Sequence, residues 1–201
     1  MRNIGLGVYR LPGTENKESL MGLFDMFKKK EAPAAAPAAP AAPANVEATC
    51  GADELCSPVT GKVIAMSEVP DPVFSGEVLG KGCAVWPEED IVYAPVTGEV
   101  TVTMGHAVGI KSDSGIEVLV HVGVDTVNLQ GKGFTGYAKQ GDHVVAGQPV
   151  IGIDRKVIAD AGYKDCVVLA VSNTAEFASV DMAAEAGSAV TAGAPVVKVT
   201  R

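Results

Sequence analysis

Two apolar runs flank a polar break in GHAVGIKSDSGIEVLVHVGVDTV, the stretch from Gly105 to Val127. The runs are rich in Val, Ile and Leu, and SDSG between them is built of residues that accept turn geometry, so the pattern predicts a β-hairpin. With Asp113 and Ser114 as the central loop residues, Lys111 faces Ile116, Ile110 faces Glu117, Val108 faces Leu119, and His106 faces His121. Directly opposed residues have Cβ atoms about 4.5–5.5 Å apart. The reading therefore brings two imidazoles together, and a slip of one residue in the register separates them to opposite faces.

The rest of the pattern predicts an all-β fold. SPVTGKV (57–63) returns as APVTGEV (94–100), and GDHVVAGQPVIGI (141–153) returns as GSAVTAGAPVVKV (187–199). Each echo couples a glycine turn to short apolar strands, which predicts an antiparallel β-sandwich or flattened jelly-roll-like barrel with internally duplicated halves. Helix is confined to short pieces, expected around 157–161 and around 175–182, the second capped by Asn173 or Thr174. Upstream, residues 31–52 are dominated by Ala and Pro over most of their length and are read as an extended linker. Residues 21–30, MGLFDMFKKK, set Leu23, Phe24, Met26 and Phe27 against three lysines, the pattern of a short basic amphipathic helix suited to weak contact with a membrane surface. Residues 1–20 show no sustained period and are read as a disordered upstream extension, with Met21 the expected natural start. The folded domain is placed at 53–201.

Charge narrows the partners. Residues 1–50 hold six Lys/Arg and five Asp/Glu, which leaves ten and nineteen, a net −9, on residues 51–201. A domain this acidic is no nucleic-acid binder, because phosphate contacts need clustered cations. No apolar run approaches the roughly 18 residues of a membrane span. Cys50, Cys56, Cys83 and Cys166 show no Cys-x-x-Cys or zinc-knuckle spacing, and are read as reduced thiols of a cytoplasmic protein.

A converging histidine pair supports metal ligation, acid–base work or nucleophilic attack, against the plainer alternative of two hydrogen-bonded core residues. A zinc peptidase would need a third protein ligand, and no His-x-His occurs. The Gly-x-Pro-Val echoes also suit biotinyl or lipoyl carrier barrels, but those need an exposed lysine, usually between methionines, and no Met-Lys-Met occurs. His143, in a polar turn, is assigned no chemistry.

Gly115–Val127, with three apolar residues before His121 and then Gly123, Asp125 and Thr126, resembles the phosphorylation motif of the glucose-type enzyme IIA domain of the bacterial phosphoenolpyruvate-dependent sugar phosphotransferase system. The resemblance extends to PVTGKV, VPDPVFSGEVLGKGCAV (69–85), APVTGEV, HAVGIKSDSG and GDHVVAGQPV, and to the MGLFDMFKKKE opening of free-standing members. It implies a phosphoryl relay during sugar uptake: a histidine-containing phosphocarrier donates to His121, and His121 passes the group to a cysteine of the sugar-specific IIB domain of a IIB/IIC permease. His106 is then the residue that stabilises the phosphoryl group, Gly123 supplies a carbonyl that fixes the His121 tautomer, and Asp125 lies on the rim of the docking face, a turn-capping carboxylate being its plainer role. Val73, Phe74, Val78 and Leu79 fall where the family presents an apolar docking face, with core packing the rival for Phe74. No cofactor is required, although some relatives hold zinc between the histidine pair and a partner carboxylate, which would make His106 and His121 metal ligands. A regulatory alternative also follows from the resemblance: phosphorylation-dependent binding to transporters or metabolic enzymes. Many relatives carry Thr two residues before the first histidine, where this chain has Met104, and Thr103 points away by strand alternation. The sugar stays open, because the IIB and IIC components choose it.

Overall fold

The structure, a computed structural model, describes residues 41–201; the amphipathic 21–30 segment and the 1–20 extension lie outside the described residues. Short apolar runs between glycine turns give fourteen strands: β1 (Glu54–Cys56), β2 (Gly61–Ala65), β3 (Lys81–Pro87), β4 (Ile91–Tyr93), β5 (Gly98–Met104), β6 (Ala107–Ser112), β7 (Glu117–Val124), β8 (Phe134–Gly136), β9 (His143–Val144), β10 (Pro149–Ile153), β11 (Lys164–Val171), β12 (Ser179–Met182), β13 (Ala189–Val190) and β14 (Pro195–Thr200). All their pairings are antiparallel. They form an eight-stranded sheet in the order β13-β2-β3-β11-β7-β6-β5-β9 and two three-stranded sheets, β1-β14-β12 and β4-β10-β8. One core joins all three sheets, drawing Leu55, Val92, Val120, Ile151, Leu169 and Val197 together.

The duplication read from the echoes is present down to single hydrogen bonds. In one copy Ser57 N donates to Ala194 O and Gly193 N to Ser57 O; in the other Ala94 N donates to Gln148 O and Gly147 N to Ala94 O. Thr60 Oγ1 accepts from Ala192 N as Thr97 Oγ1 accepts from Ala146 N. Gly61 and Gly98 open the equivalent strands β2 and β5, and a Cβ there would lie 2.0 Å from Trp86 O and 2.1 Å from Lys111 O. The repeated Thr-Gly pair thus has a repeated cause: a hydroxyl to hold the turn, and a bare Cα to admit a neighbouring strand.

Strand alternation divides β11 and β7 between two faces. Val167, Leu169 and Val171 enter the main core, while Cys166, Val168 and Ala170 join Ile64, Met66, Val69, Phe74 and Ala84 in a second cluster. In β7, Val118, Val120 and Val122 point to the main core, so His121 points the other way, toward the second cluster.

Three sequence expectations are corrected. The β6–β7 register is one residue off the predicted one, with Ala107 opposite His121 and Lys111 opposite Glu117. Ser112 N donates to Ile116 O and Gly115 sits at φ +88°, so the loop has three residues ending in a left-handed glycine rather than two. The helix expected around 157–161 forms as α2 (Arg155–Asp160), capped by the Asp154 carboxylate accepting from Val157 N, whereas 175–182 keeps only a 3-10 turn at Thr174–Glu176 before becoming β12. Asn173 makes no side-chain cap there; its amide instead accepts from Glu117 N and donates to Gly115 O, tying β7 to the far end of β11. Finally, Cys50 and Cys56 are joined in a disulfide, not reduced. A turn in which Glu54 N donates to Gly51 O brings their Cα atoms to 5.7 Å, a bridgeable distance that spacing along the chain does not reveal. Cys83 and Cys166 are free and buried, and burial pushes both thiols up to about 12. Residues 46–50, the end of the stretch read as linker, lie against the fold through Val46 N to Gly147 O and Thr49 N to Gly193 O.

Candidate functional site

His106 is the second residue of the two-residue turn Gly105–His106 that joins β5 to β6, with Met104 opposite Ala107. A turn residue is not bound to strand alternation, and this is how His106 and His121 meet although Ala107, not His106, is the cross-strand neighbour. The rings lie edge to face with centroids 4.8 Å apart. Val122 N donates to His106 O at 2.8 Å, fastening the turn to β7.

Phe74 forms the other wall, its ring centroid 5.0 Å from that of His121. It is held there by α1 (Pro72–Ser75), a single turn with proline in the first helical position and Asp71 as its cap. The Asp71 carboxylate accepts from Val73 N at 2.7 Å and Phe74 N at 3.1 Å. Phe134, from β8, stands 6.3 Å from His106 on the remaining side. Among the four predicted docking residues, Val73, Val78 and Leu79 are exposed, while Phe74 is only 6% exposed and packs in the second cluster. Met104 and Val127 are exposed as well. The sequence reading did not count either among the exposed apolar positions, though an apolar side chain two positions from His106 was a usable signal.

After His121 the strand ends in two left-handed residues, Gly123 at φ +78° and Asp125 at φ +58°. A Cβ on Gly123 would fall 2.3 Å from Thr126 Cγ2 and 2.6 Å from Lys164 O, so only glycine fits. Thr126 is fully buried and its hydroxyl donates to Val122 O, which closes the turn beneath the histidine. The sequence motif contains Thr126, but the role of its hydroxyl was not foreseen. Asp125 is exposed and its side chain makes no cap, so the turn-capping reading has no hydrogen bond behind it.

Burial holds the His121 imidazolium down to a pKa of about 4, helped by the neighbouring His106 and opposed by the Gly123 backbone and the Asp71 carboxylate. Burial also lowers His106. Both rings are therefore neutral near pH 7. Nδ1 of His121 is sealed from solvent and makes no hydrogen bond, while the Gly123 backbone lies close enough to favour a proton on the ring. Nε2 is then the nitrogen available for chemistry.

His143 stands apart, with Nε2 3.0 Å from Asp113 Oδ1 on an exposed surface. Among the described residues, no group of three or more His, Cys, Asp or Glu side chains is placed to hold a metal ion, and no helix is long and apolar enough to cross a membrane.

Residues 53–177 match the family of the phosphoenolpyruvate-dependent sugar phosphotransferase system, EIIA 1. The chain is 47% identical over 123 residues to the beta-glucoside-specific EIIBCA component of Bacillus subtilis, covering 60% of this chain and 20% of that protein. It is 38% identical over 124 residues to the glucose-specific EIIA component of Bacillus cereus, covering 61% and 75%. The solved structure of glucose permease IIA from Mycoplasma capricolum superposes with a TM-score of 0.65 at 31% identity, over 72% of this chain and 93% of that one. The chain thus spans about a fifth of the length of the fused relative and three quarters of the free-standing one.

Proposed function

Because the chain belongs to the EIIA 1 family of the sugar phosphotransferase system, whose members carry phosphoryl groups, we propose that His121 takes the phosphoryl group on Nε2 from a histidine-containing phosphocarrier and delivers it to a cysteine of a sugar-specific IIB domain. The observation that carries this reading is the His121 ring itself: neutral, walled by His106 and Phe74, with Nδ1 buried. A neutral ring keeps a lone pair for in-line attack on phosphorus, which an imidazolium lacks. As the N–P bond forms, the bond from phosphorus to the donor nitrogen breaks, and the positive charge that develops on the ring is met at Nδ1–H by the Gly123 carbonyl. His106, neutral with one N–H, donates to a phosphoryl oxygen. Positioning and charge stabilisation are the main demands of such a transfer.

The exposed Val73, Val78 and Leu79 give partners an apolar centre, and Asp125 offers a charge at its edge. The relatives' names mention beta-glucoside, mannose and glucose, which supports placing sugar choice in the IIB and IIC partners. The chemistry needs no cofactor. His106 and His121 supply only two donors, so zinc would bind them only where a partner carboxylate completes the set. We place the protein in the cytoplasm, with residues 21–30 touching the inner membrane surface.

The test is label transfer from phosphocarrier to protein and then to IIB. His121→Gln should accept nothing, because an amide has no ring nitrogen. His106→Gln should still accept but pass the group on about a hundredfold more slowly, the scale for one lost charge-stabilising donor. Labelling of His121→Gln with none of His106→Gln would reverse the roles, and partner binding by the wild type without onward transfer would mark a purely regulatory module.

A further inference from the structure

The disulfide lies in a part of the molecule that the phosphoryl relay does not use. Residues 46–50 cross the two duplicated turns, where Ala146 and Thr97 adjoin the Asp113 tip of the β6–β7 hairpin, the opposite end of β6 from His106. The seating is built for them. Val46 N donates to Gly147 O at 2.9 Å and Thr49 N to Gly193 O at 3.0 Å, so one strap uses the equivalent carbonyl of each repeat. Both glycines are left-handed, at φ +82° and +87°. A Cβ on Gly147 would fall 2.3 Å from Val46 O, and one on Gly193 2.1 Å from Glu47 O, so the strap rests directly on bare Cα atoms.

At its end the strap is pinned to the core strand β1. Cys56 is fully buried while Cys50 is half-buried, and the turn between them is held by Glu54 N to Gly51 O and by Gly51 N to the Glu54 carboxylate at 3.0 Å. These hydrogen bonds do not depend on the S–S bond, so the two sulfurs stay close when reduced. Cys50 Sγ is 3.7 Å from Gly193 O, an acceptor that only the thiol, not the disulfide, can use.

We propose that Cys50 and Cys56 are a reversible thiol–disulfide pair, a clasp worked by exchange with a small-molecule disulfide or thiol at the half-buried Cys50 sulfur, and that its state sets how firmly residues 46–50 are held on the fold. In closing, the Cys50 thiolate attacks one sulfur of the small disulfide and releases one thiolate. The Cys56 thiolate then attacks the Cys50 sulfur of the mixed disulfide and releases the second. Two protein thiols lose two protons and two electrons, and one small disulfide becomes two thiols. Opening reverses this, with attack on Cys50 and the buried Cys56 thiolate as leaving group. In a reducing compartment the open form is the resting state and oxidation closes it. Freeing residues 46–50, with the Gly51–Glu54 turn intact, adds about 17 Å to the reach of the preceding Ala/Pro stretch, at some 3.3–3.6 Å per extended residue. The clasp does not rest on the phosphoryl reading and leaves the histidine site untouched.

The experiment equilibrates the full chain in mixtures of reduced and oxidised glutathione, traps thiols by alkylation for peptide mapping, and measures amide hydrogen exchange in both states. A Cys50–Cys56 disulfide should form reversibly, with Cys83 and Cys166 unlabelled in the folded protein. The peptide holding Thr49 should exchange on the order of tenfold faster or more when reduced, while β7 peptides keep their rate. Cys50→Ser should show the fast rate in both buffers, and the wild-type comparison stands alone if that variant fails to fold. Glutathione retained on Cys50 without ring closure, absence of the intramolecular disulfide, or equal strap exchange in the two states would each overturn the proposal.

Discussion

Burial keeps the His121 ring neutral, and the same burial fixes its response to acid. Its folded pKa of about 4 lies below the 6.5 of an ordinary histidine, so between those values the unfolded chain binds a proton that the folded chain does not. Stability therefore falls as pH drops from 6.5 to 4 and levels off below, with His106 acting in the same direction. Denaturant unfolding at pH 7 and pH 4.5 should show this loss, and His121→Gln should reduce it; an unchanged slope would mean that His121 titrates normally in the fold. Phosphate acceptance should likewise hold steady down to about pH 5. Thr126→Val keeps the shape but loses the hydroxyl that serves Val122 O, and should slow acceptance, with Thr126→Ser restoring it. At this scale the sequence brought the two histidines together but was silent about why they meet: the predicted cross-strand pair does not exist, and the contact depends on a turn residue whose direction no alternation rule supplies.

At the scale of elements, two glycines of one hairpin and its exit carry different loads. Gly115 is left-handed with open space around its missing Cβ, so Gly115→Ala should cost only the conformational penalty, about 1–2 kcal/mol. Gly123→Ala adds overlap with Thr126 and Lys164 O and should cost more in thermal unfolding; equal costs would contradict the packing described beneath His121. The one-turn helix α1 depends on its cap, and Asp71→Ala should lose about 1 kcal/mol and loosen Phe74 against His121. The register was misread because SDSG fits a two-residue loop as well as a three-residue one, and only the left-handed Gly115 decides between them. The helix expected at 175–182 failed because Asn173, which looks like a cap, spends its side chain on Gly115 O and Glu117 N.

For the whole molecule, the duplicated halves were legible because a Thr-Gly turn repeated in sequence repeats its hydrogen bonds in space. The strap was not, because the short run VEATC (46–50) carries no periodic signal of where it docks. Deleting residues 1–40 should leave phosphoryl transfer to soluble IIB unchanged while weakening binding to anionic vesicles through the loss of 21–30; loss of transfer would show that these residues serve the domain. The relay itself is tested most directly by phosphorylating the full chain with its phosphocarrier and locating the group by 31P and 15N NMR. A single phosphohistidine on Nε2 of His121, with Nδ1 protonated, is the predicted result. Phosphate on His106, or on Nδ1 of His121, would contradict it.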